Sequence, residues 1–227
     1  MTRIRMSQRL FFTSFSLALL CLVATQQARA DSVVFSNFGP GMTFQDTSSR
    51  AVNAFTSTIG TVQAARFTSA GNFTFTSANV PLIFHQGINQ VQVSLATNVN
   101  DAPGSILETI TLTDAVTNPA SVLTANSVLH PLLSAGTDYW LILSAPTNVA
   151  SFGWNMTTIS DFPNGSNAVG NTSRSLTGPW IPLNDSFQRG AFQINGSPVP
   201  EPATMLLLST GLAGIAAKLK WRRKRLP

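Results

Sequence analysis

Apolar and polar residues alternate along the middle of the chain with the period of two that β-strands show. The clearest examples are 73–76, 91–96 and 109–113, in which every second residue is aliphatic or aromatic. Such segments recur about every ten residues, and residue pairs typical of turns separate them. The pattern predicts an all-β domain of the β-sandwich or jelly-roll class.

One segment differs, because its apolar run is nearly unbroken. Asp138 to Ser144 contains Tyr-Trp-Leu-Ile-Leu, which predicts a central strand buried on both faces. Phe192 and Ile194 predict the last strand of the domain. Turns or loops are expected at three stretches rich in Pro, Gly and Asn, namely 101–104, 135–138 and 161–178.

The chain begins with a basic stretch followed by a short apolar run. Three arginines precede the run, which covers 10–24, and Ala28 and Ala30 carry the small-residue spacing that signal peptidase requires. We therefore expect a signal helix within 1–30 and cleavage after Ala30, so that the mature chain begins at Asp31. An uncleaved anchor is the alternative, but a spanning helix needs about 20 apolar residues.

The end of the chain has three sections in a fixed order. The first is the peptide Val199, Pro200, Glu201 and Pro202, whose prolines are incompatible with regular helix or a central strand. An apolar segment over 203–217 follows and predicts a single transmembrane helix. The last section, 218–227, is basic and contains Lys218, Lys220, Arg222, Arg223, Lys224 and Arg225.

The charges of this last section predict the orientation of the chain. Clustered cations stay on the cytoplasmic side of a membrane, so the body is expected outside. The domains are then a signal peptide over 1–30, an ectodomain over 31–195 and a tail over 196–227. Residues 196–198 are expected to be a spacer.

The tail resembles the PEP-CTERM sorting signal of Gram-negative bacteria. The resemblance rests on Val199-Pro200-Glu201-Pro202, the glycine-containing apolar segment and the Arg-rich end. It implies recognition by an exosortase, a membrane transpeptidase, in species that make exopolysaccharide. Glu201 and its two prolines would then be the peptide of a substrate. The alternative is a plain C-terminal anchor that is never removed.

The body resembles the choice-of-anchor R type of extracellular domain over about 33–195. The motifs that carry this resemblance are a Pro-Gly pair after a Val-rich strand, the segment 132–143 and Phe152-Gly153-Trp154. The resemblance implies a β-sandwich and no particular activity.

Charge and cysteine content exclude several classes of protein. The net charge is +5, but ten of the fourteen cationic residues lie in 1–30 or 218–225. The body keeps four arginines against eight acidic residues, which argues against a nucleic-acid partner. Cys21, the only cysteine, would leave with the signal peptide, so disulfides are not expected.

Catalytic chemistry finds little support in the body. His85 and His130 are the only histidines, and each is expected at a strand end or turn. Neither histidine stands in a pattern that indicates the base of a serine triad, and two histidines are too few ligands for a zinc site. Glu108 has no second glutamate in the body as a partner for glycoside hydrolysis. We therefore expect no catalytic residue, metal or cofactor, and keep a secreted hydrolase with an unrecognised site as the alternative.

Two features of the body are candidates for ligand binding. Trp180, between two prolines in a loop, is the candidate for stacking on a sugar ring, whereas Trp140 and Trp154 are expected in the core. Two groups of side chains offer oxygens that could hold calcium, although Asn and Asp are also the ordinary residues of turns. They are Asn98, Asn100 and Asp101, and Asp161, Asn164 and Asn167.

Together these patterns favour a non-enzymatic, exported protein of the cell surface or extracellular matrix. Its precursor would lie transiently in the inner membrane and be processed by signal peptidase and exosortase. Association with exopolysaccharide or a biofilm, with glycan binding, is the expected role of the mature protein.

Overall fold

The computed structural model describes residues 31–146, 148–159, 168–171, 175–176, 178–182, 189–199, 208–216 and 218. All of them belong to the second of the two units into which the chain divides, Asp31–Pro227. The predicted signal helix and the cleavage residues Ala28 and Ala30 lie outside the described residues.

The described part of the body is built of thirteen β-strands, which confirms the prediction of an all-β fold. In chain order their bounds are β1 Ser32–Ser36, β2 Phe44–Ala54, β3 Gly60–Thr68, β4 Phe73–Gly87, β5 Gln90–Val99, β6 Ala102–Thr113, β7 Ser121–Asn126, β8 Leu132–Leu133, β9 Asp138–Ser144, β10 Ala150–Thr157, β11 Ala168–Asn171, β12 Ile181–Pro182 and β13 Gln193–Pro198.

The strands form one antiparallel sheet with the order β1-β13-β4-β10-β2-β3-β9-β5-β6. Strands β7 and β8 pair with β4, β11 pairs with β3, and β12 pairs with β11. The sheet curls, so that Phe67 of β3 packs against Phe35 of β1 and against Phe192, with ring centroids 5.8 and 6.1 Å apart. The core therefore lies inside one continuous curled sheet, where a sandwich prediction expects two separate sheets.

The alternating segments place their apolar side chains in this core. Val91, Val93 and Leu95 are buried, as is Phe75. Strand β9 lies between β3 and β5, and every residue after Asp138 is buried along it, as its apolar run predicts. Trp140 and Trp154 are also buried, so their predicted core role is confirmed.

Two of the predicted loops are wrong in part. The β5–β6 turn is Asn100-Asp101, where both residues have positive φ, as a two-residue type I′ hairpin requires. Pro103 belongs to β6 and pairs with Asn98, because β6 ends the main strand order and its edge position tolerates proline. Within the expected long loop, Ala168–Asn171 forms β11 and pairs with β3.

The body extends slightly beyond its predicted end. Strand β13 continues through Gly196 and Ser197 to Pro198, and these residues pair with β4. The expected spacer is therefore part of the sheet. Because β13 lies between β1 and β4, the chain leaves the body from an interior strand.

In the described part of the apolar tail segment, residues 208–216 are helical, and we call them α1. Lys218 is helical as well. Within the described ranges, no helix has the length and apolar character needed to span a membrane. The predicted transmembrane helix over 203–217 is therefore not confirmed, and its remaining residues lie outside the described part.

Candidate functional site

The chain enters and leaves the body at the same end of the sheet. Ser32 in β1 pairs with Gly196 in β13, which places Asp31 beside the last residues of β13. Val199 donates its backbone N–H to the carbonyl of Asn72 at 2.9 Å. We call this end, formed by Ser32, Asn72 and Pro198-Val199, the tail end of the body.

The residues of the predicted sorting peptide begin at this end. Val199 follows β13 directly and is exposed. Pro200, Glu201 and Pro202 lie outside the described residues, as do Lys220 and Arg222 to Arg225. Lys218 is helical and exposed. The first residue of the sorting peptide, Val199, is therefore exposed where the sheet ends.

A loop with exposed apolar side chains lies at the tail end as well. It covers 127–131, between β7 and β8, together with Leu132, the first residue of β8, and we call it the apolar loop. Val128, Leu129 and Leu132 have exposed fractions of 79%, 69% and 68%, the three highest among the large apolar residues that the structure describes. The sequence alone does not reveal this loop, because a short run of Val and Leu also fits a buried strand.

A buried carboxylate holds the apolar loop in place. Glu108 of β6 is 5% exposed. Its Oε2 accepts the hydroxyl of Ser127 at 2.6 Å, and its Oε1 accepts the backbone N–H groups of Val128 and Leu129 at 2.6 and 3.0 Å. Ser127 Oγ in turn accepts the N–H of His130 at 2.9 Å. The loop is thus fixed although its side chains point into solvent.

These contacts also set the charge state of Glu108. Burial by itself raises the pKa of this carboxyl, but the hydrogen bonds from Ser127, Leu129 and Val128 favour the ionised form and together lower the pKa below its ordinary value. The carboxylate is therefore ionised at neutral pH. Its contacts indicate a structural part in positioning the loop.

The opposite end of the sheet, the tip end, carries a second set of exposed apolar residues. They are Phe55, Ile59, Ile88 and Val149, in the β2–β3, β4–β5 and β9–β10 connections. Strand β4 runs from the tail end to the tip end, and its fifteen residues extend over about 46 Å. The chain does not leave the body at the tip end.

Trp180, the candidate for sugar stacking, lies on the outer face of the sheet. It is half-buried and packs with Leu176 against a small cluster that includes Val62, Trp140 and Ile142. Its Nε1 is buried and has no hydrogen-bond partner among the described residues. The indole therefore covers part of the sheet, and stacking on a sugar stays a prediction.

The oxygen-rich stretch at 98–101 is occupied by contacts within the body. Asn98 Oδ1 accepts the indole N–H of Trp140 at 2.8 Å, and Asp101 forms an ion pair with Arg66. Asp138 Oδ2 lies 3.6 Å from the same guanidinium. Over the described ranges, the structure contains no group of three or more His, Cys, Asp or Glu residues suited to a metal ion.

The two histidines lie far apart. His130 Nδ1 is 3.2 Å from the carbonyl of Phe75, near the tail end of β4. His85 lies ten residues further along β4, which corresponds to about 33 Å. The structure does not bring them together in one cleft.

Comparison with known families identifies the tail. Residues 198–224 match the PEP-CTERM protein-sorting motif. The match begins at the last residue of β13 and covers the predicted peptide, the apolar segment and most of the basic end. No curated protein matches the chain, and the resemblance of the body to choice-of-anchor R domains is not confirmed. The motif indicates an exported surface protein that an exosortase sorts.

Proposed function

We propose that this chain is the precursor of a non-enzymatic protein of the bacterial cell surface or extracellular matrix. Signal peptidase removes 1–30, and the apolar tail holds the precursor in the inner membrane until exosortase acts near Val199 to Pro202. The observation that carries this proposal is the sorting motif, which starts where the last strand ends. Val199, the first residue of the predicted sorting peptide, is exposed there, which supports access by an enzyme.

The position of the two termini supports this route. The predicted signal peptide precedes Asp31 and the sorting tail follows Val199, and both attach at the tail end. Both apolar segments can therefore enter one membrane while the rest of the body extends away from it. The six cations of the basic end keep it on the cytoplasmic side.

A processing assay tests the proposal. The full chain, with an epitope inserted in the exposed 55–59 turn, is produced in a bacterium that makes exosortase and in the same strain without it. We expect a shortened, surface-located product only with exosortase, and an unprocessed membrane-bound product for Glu201→Ala. A full-length product at the surface of both strains would support a permanent anchor and contradict the proposal.

Association with exopolysaccharide is the proposed role of the mature body. The body is polar but carries few charges, with four arginines and eight acidic residues over 31–200, and this composition supports a matrix component. Trp180 is the proposed contact to a sugar ring. A glycan array compares the wild type with Trp180→Ala, and Ile181→Ala serves as the exposed neighbouring control. Unchanged glycan binding in Trp180→Ala would exclude this residue, and turnover of a bound glycan would favour the hydrolase alternative.

A further inference from the structure

The tail end combines three features that point to one kind of partner. The chain leaves toward the apolar tail there, and the three large apolar side chains that are most exposed among the described residues lie there. A buried carboxylate fixes the loop that carries them. We infer that the apolar loop, through Val128, Leu129 and Leu132, inserts into the bilayer surface and orients the precursor for processing. This inference rests on the proposed function, because it takes the apolar tail to be in the membrane.

The register of β4 sets the distance between the loop and the exit of the chain. Thr74 pairs with Leu132 on one side and with Ser197 on the other. Adjacent strands lie about 4.8 Å apart, so Leu132 and Ser197 are about 10 Å apart across the sheet. The apolar loop is therefore beside the strand that leads to the membrane.

The length of the connecting peptide sets the distance to the bilayer. Three residues separate Val199 from Ala203, where the apolar segment begins. Even a fully extended chain spans at most about 14 Å over these four steps. An inserted tail therefore holds the tail end of the body against the lipid headgroups. The side chains that project from the apolar loop can then reach the bilayer surface.

The composition of the loop favours lipid over a charged partner. Residues 127–132 contain no Asp, Glu, Lys or Arg, and Pro131 adds to the apolar character of Val128, Leu129 and Leu132. Apolar side chains bind the membrane interface because insertion removes their apolar surface from water. The contact should therefore depend little on salt, unlike contacts made by basic residues.

Site-specific fluorescence tests the inference on the full chain. Cys21→Ser removes the native thiol, and single cysteines are then introduced and labelled with a polarity-sensitive nitrobenzoxadiazole dye. The sites are Leu129→Cys in the apolar loop, Ile88→Cys at the tip end as a matched exposed control, and Leu212→Cys in α1. The protein is reconstituted in vesicles of phosphatidylethanolamine and phosphatidylglycerol.

We expect blue-shifted emission at positions 129 and 212, as apolar insertion implies. Quenching by aqueous iodide should be at least about threefold weaker at these two positions than at position 88, which stays accessible. Val128→Cys repeats the loop measurement in case Leu129→Cys folds poorly. If the dye at position 129 reports water while the dye at position 212 reports lipid, the inference is overturned and the proposed function stands. An aqueous signal at 212 would overturn both.

Dilution of the protein in lipid separates lipid contact from contact between copies. Protection of position 129 should remain when the lipid-to-protein ratio is raised tenfold, as the fixed proximity of one chain to its own membrane implies. Loss of protection on dilution would show that a second copy covers the loop and would overturn the inference. Protection that appears only after exosortase is added would do so as well.

Discussion

Ser127 donates its hydroxyl to the buried carboxylate of Glu108 across 2.6 Å. The two residues belong to different segments, one to strand β6 and the other to the loop after β7. The same carboxylate accepts the N–H groups of Val128 and Leu129. Glu108 thus supplies the hydrogen-bond acceptors that a neighbouring strand would supply if this stretch of backbone were still in the sheet.

Replacement of Glu108 should destabilise the body. Glu108→Ala removes the acceptor of three hydrogen bonds, and we expect a loss of about 1–3 kcal/mol in the free energy of unfolding. Urea denaturation monitored by tryptophan fluorescence measures the change. Thr111→Ala, at an exposed position of the same strand, should stay within about 0.5 kcal/mol of wild type. Equal effects of the two substitutions would contradict the structural part of Glu108.

The same carboxylate predicts a pH dependence. Its pKa is lower in the folded protein than the ordinary value of 4.5, so its contribution to stability is present above that value. The contribution is lost as the pH falls through the folded-state pKa. Stability curves between pH 7 and pH 3 should therefore fall less steeply for Glu108→Gln than for wild type. Parallel curves would show that another group controls acid sensitivity.

The apolar loop illustrates why part of the site was not predictable from sequence. Val128, Leu129 and Leu132 have the composition of a buried strand, and only the register of β7 and β8 on β4 leaves them outside. Glu108 shares the strand face of Ile110 and Leu112, but the alternation does not show which groups its carboxylate contacts. These contacts join segments about twenty residues apart, so local patterns do not contain them.

Other parts of the fold follow from local patterns. The run from Asp138 to Ser144 predicts the central strand with its observed bounds, because only a strand covered on both faces buries so many consecutive apolar residues. The turn predicted at 101–104 lies two residues beyond the observed four-residue β5–β6 turn, 99–102, since Pro103-Gly104 has turn composition. The pairing of Val99 with Ala102 leaves Asn100 and Asp101 as the turn, and cross-strand pairing outweighs composition there.

Close packing at Trp154 predicts a sensitive glycine. A Cβ added to Gly190 would lie 2.3 Å from the indole of Trp154, whose N–H donates to the carbonyl of Ala191 at 2.7 Å. Gly190→Ala should therefore destabilise the body by about 1–3 kcal/mol through overpacking. Thermal unfolding followed by near-ultraviolet circular dichroism measures the shift.

A second glycine provides the control for this experiment. Among the described residues, a Cβ added to Gly211 in α1 meets no atom within 4 Å, and alanine favours helix. Gly211→Ala should leave the unfolding temperature of the body unchanged. A Gly190→Ala variant that is as stable as wild type would contradict the packing described around Trp154.

The central claim is that the tail is a sorting address that is removed. Intact-mass spectrometry of the protein recovered from the surface of an exosortase-producing strain tests it most directly. We predict a mature chain that begins at Asp31 and lacks Lys218 to Arg225. A surface protein whose mass still includes Pro227 would contradict the claim.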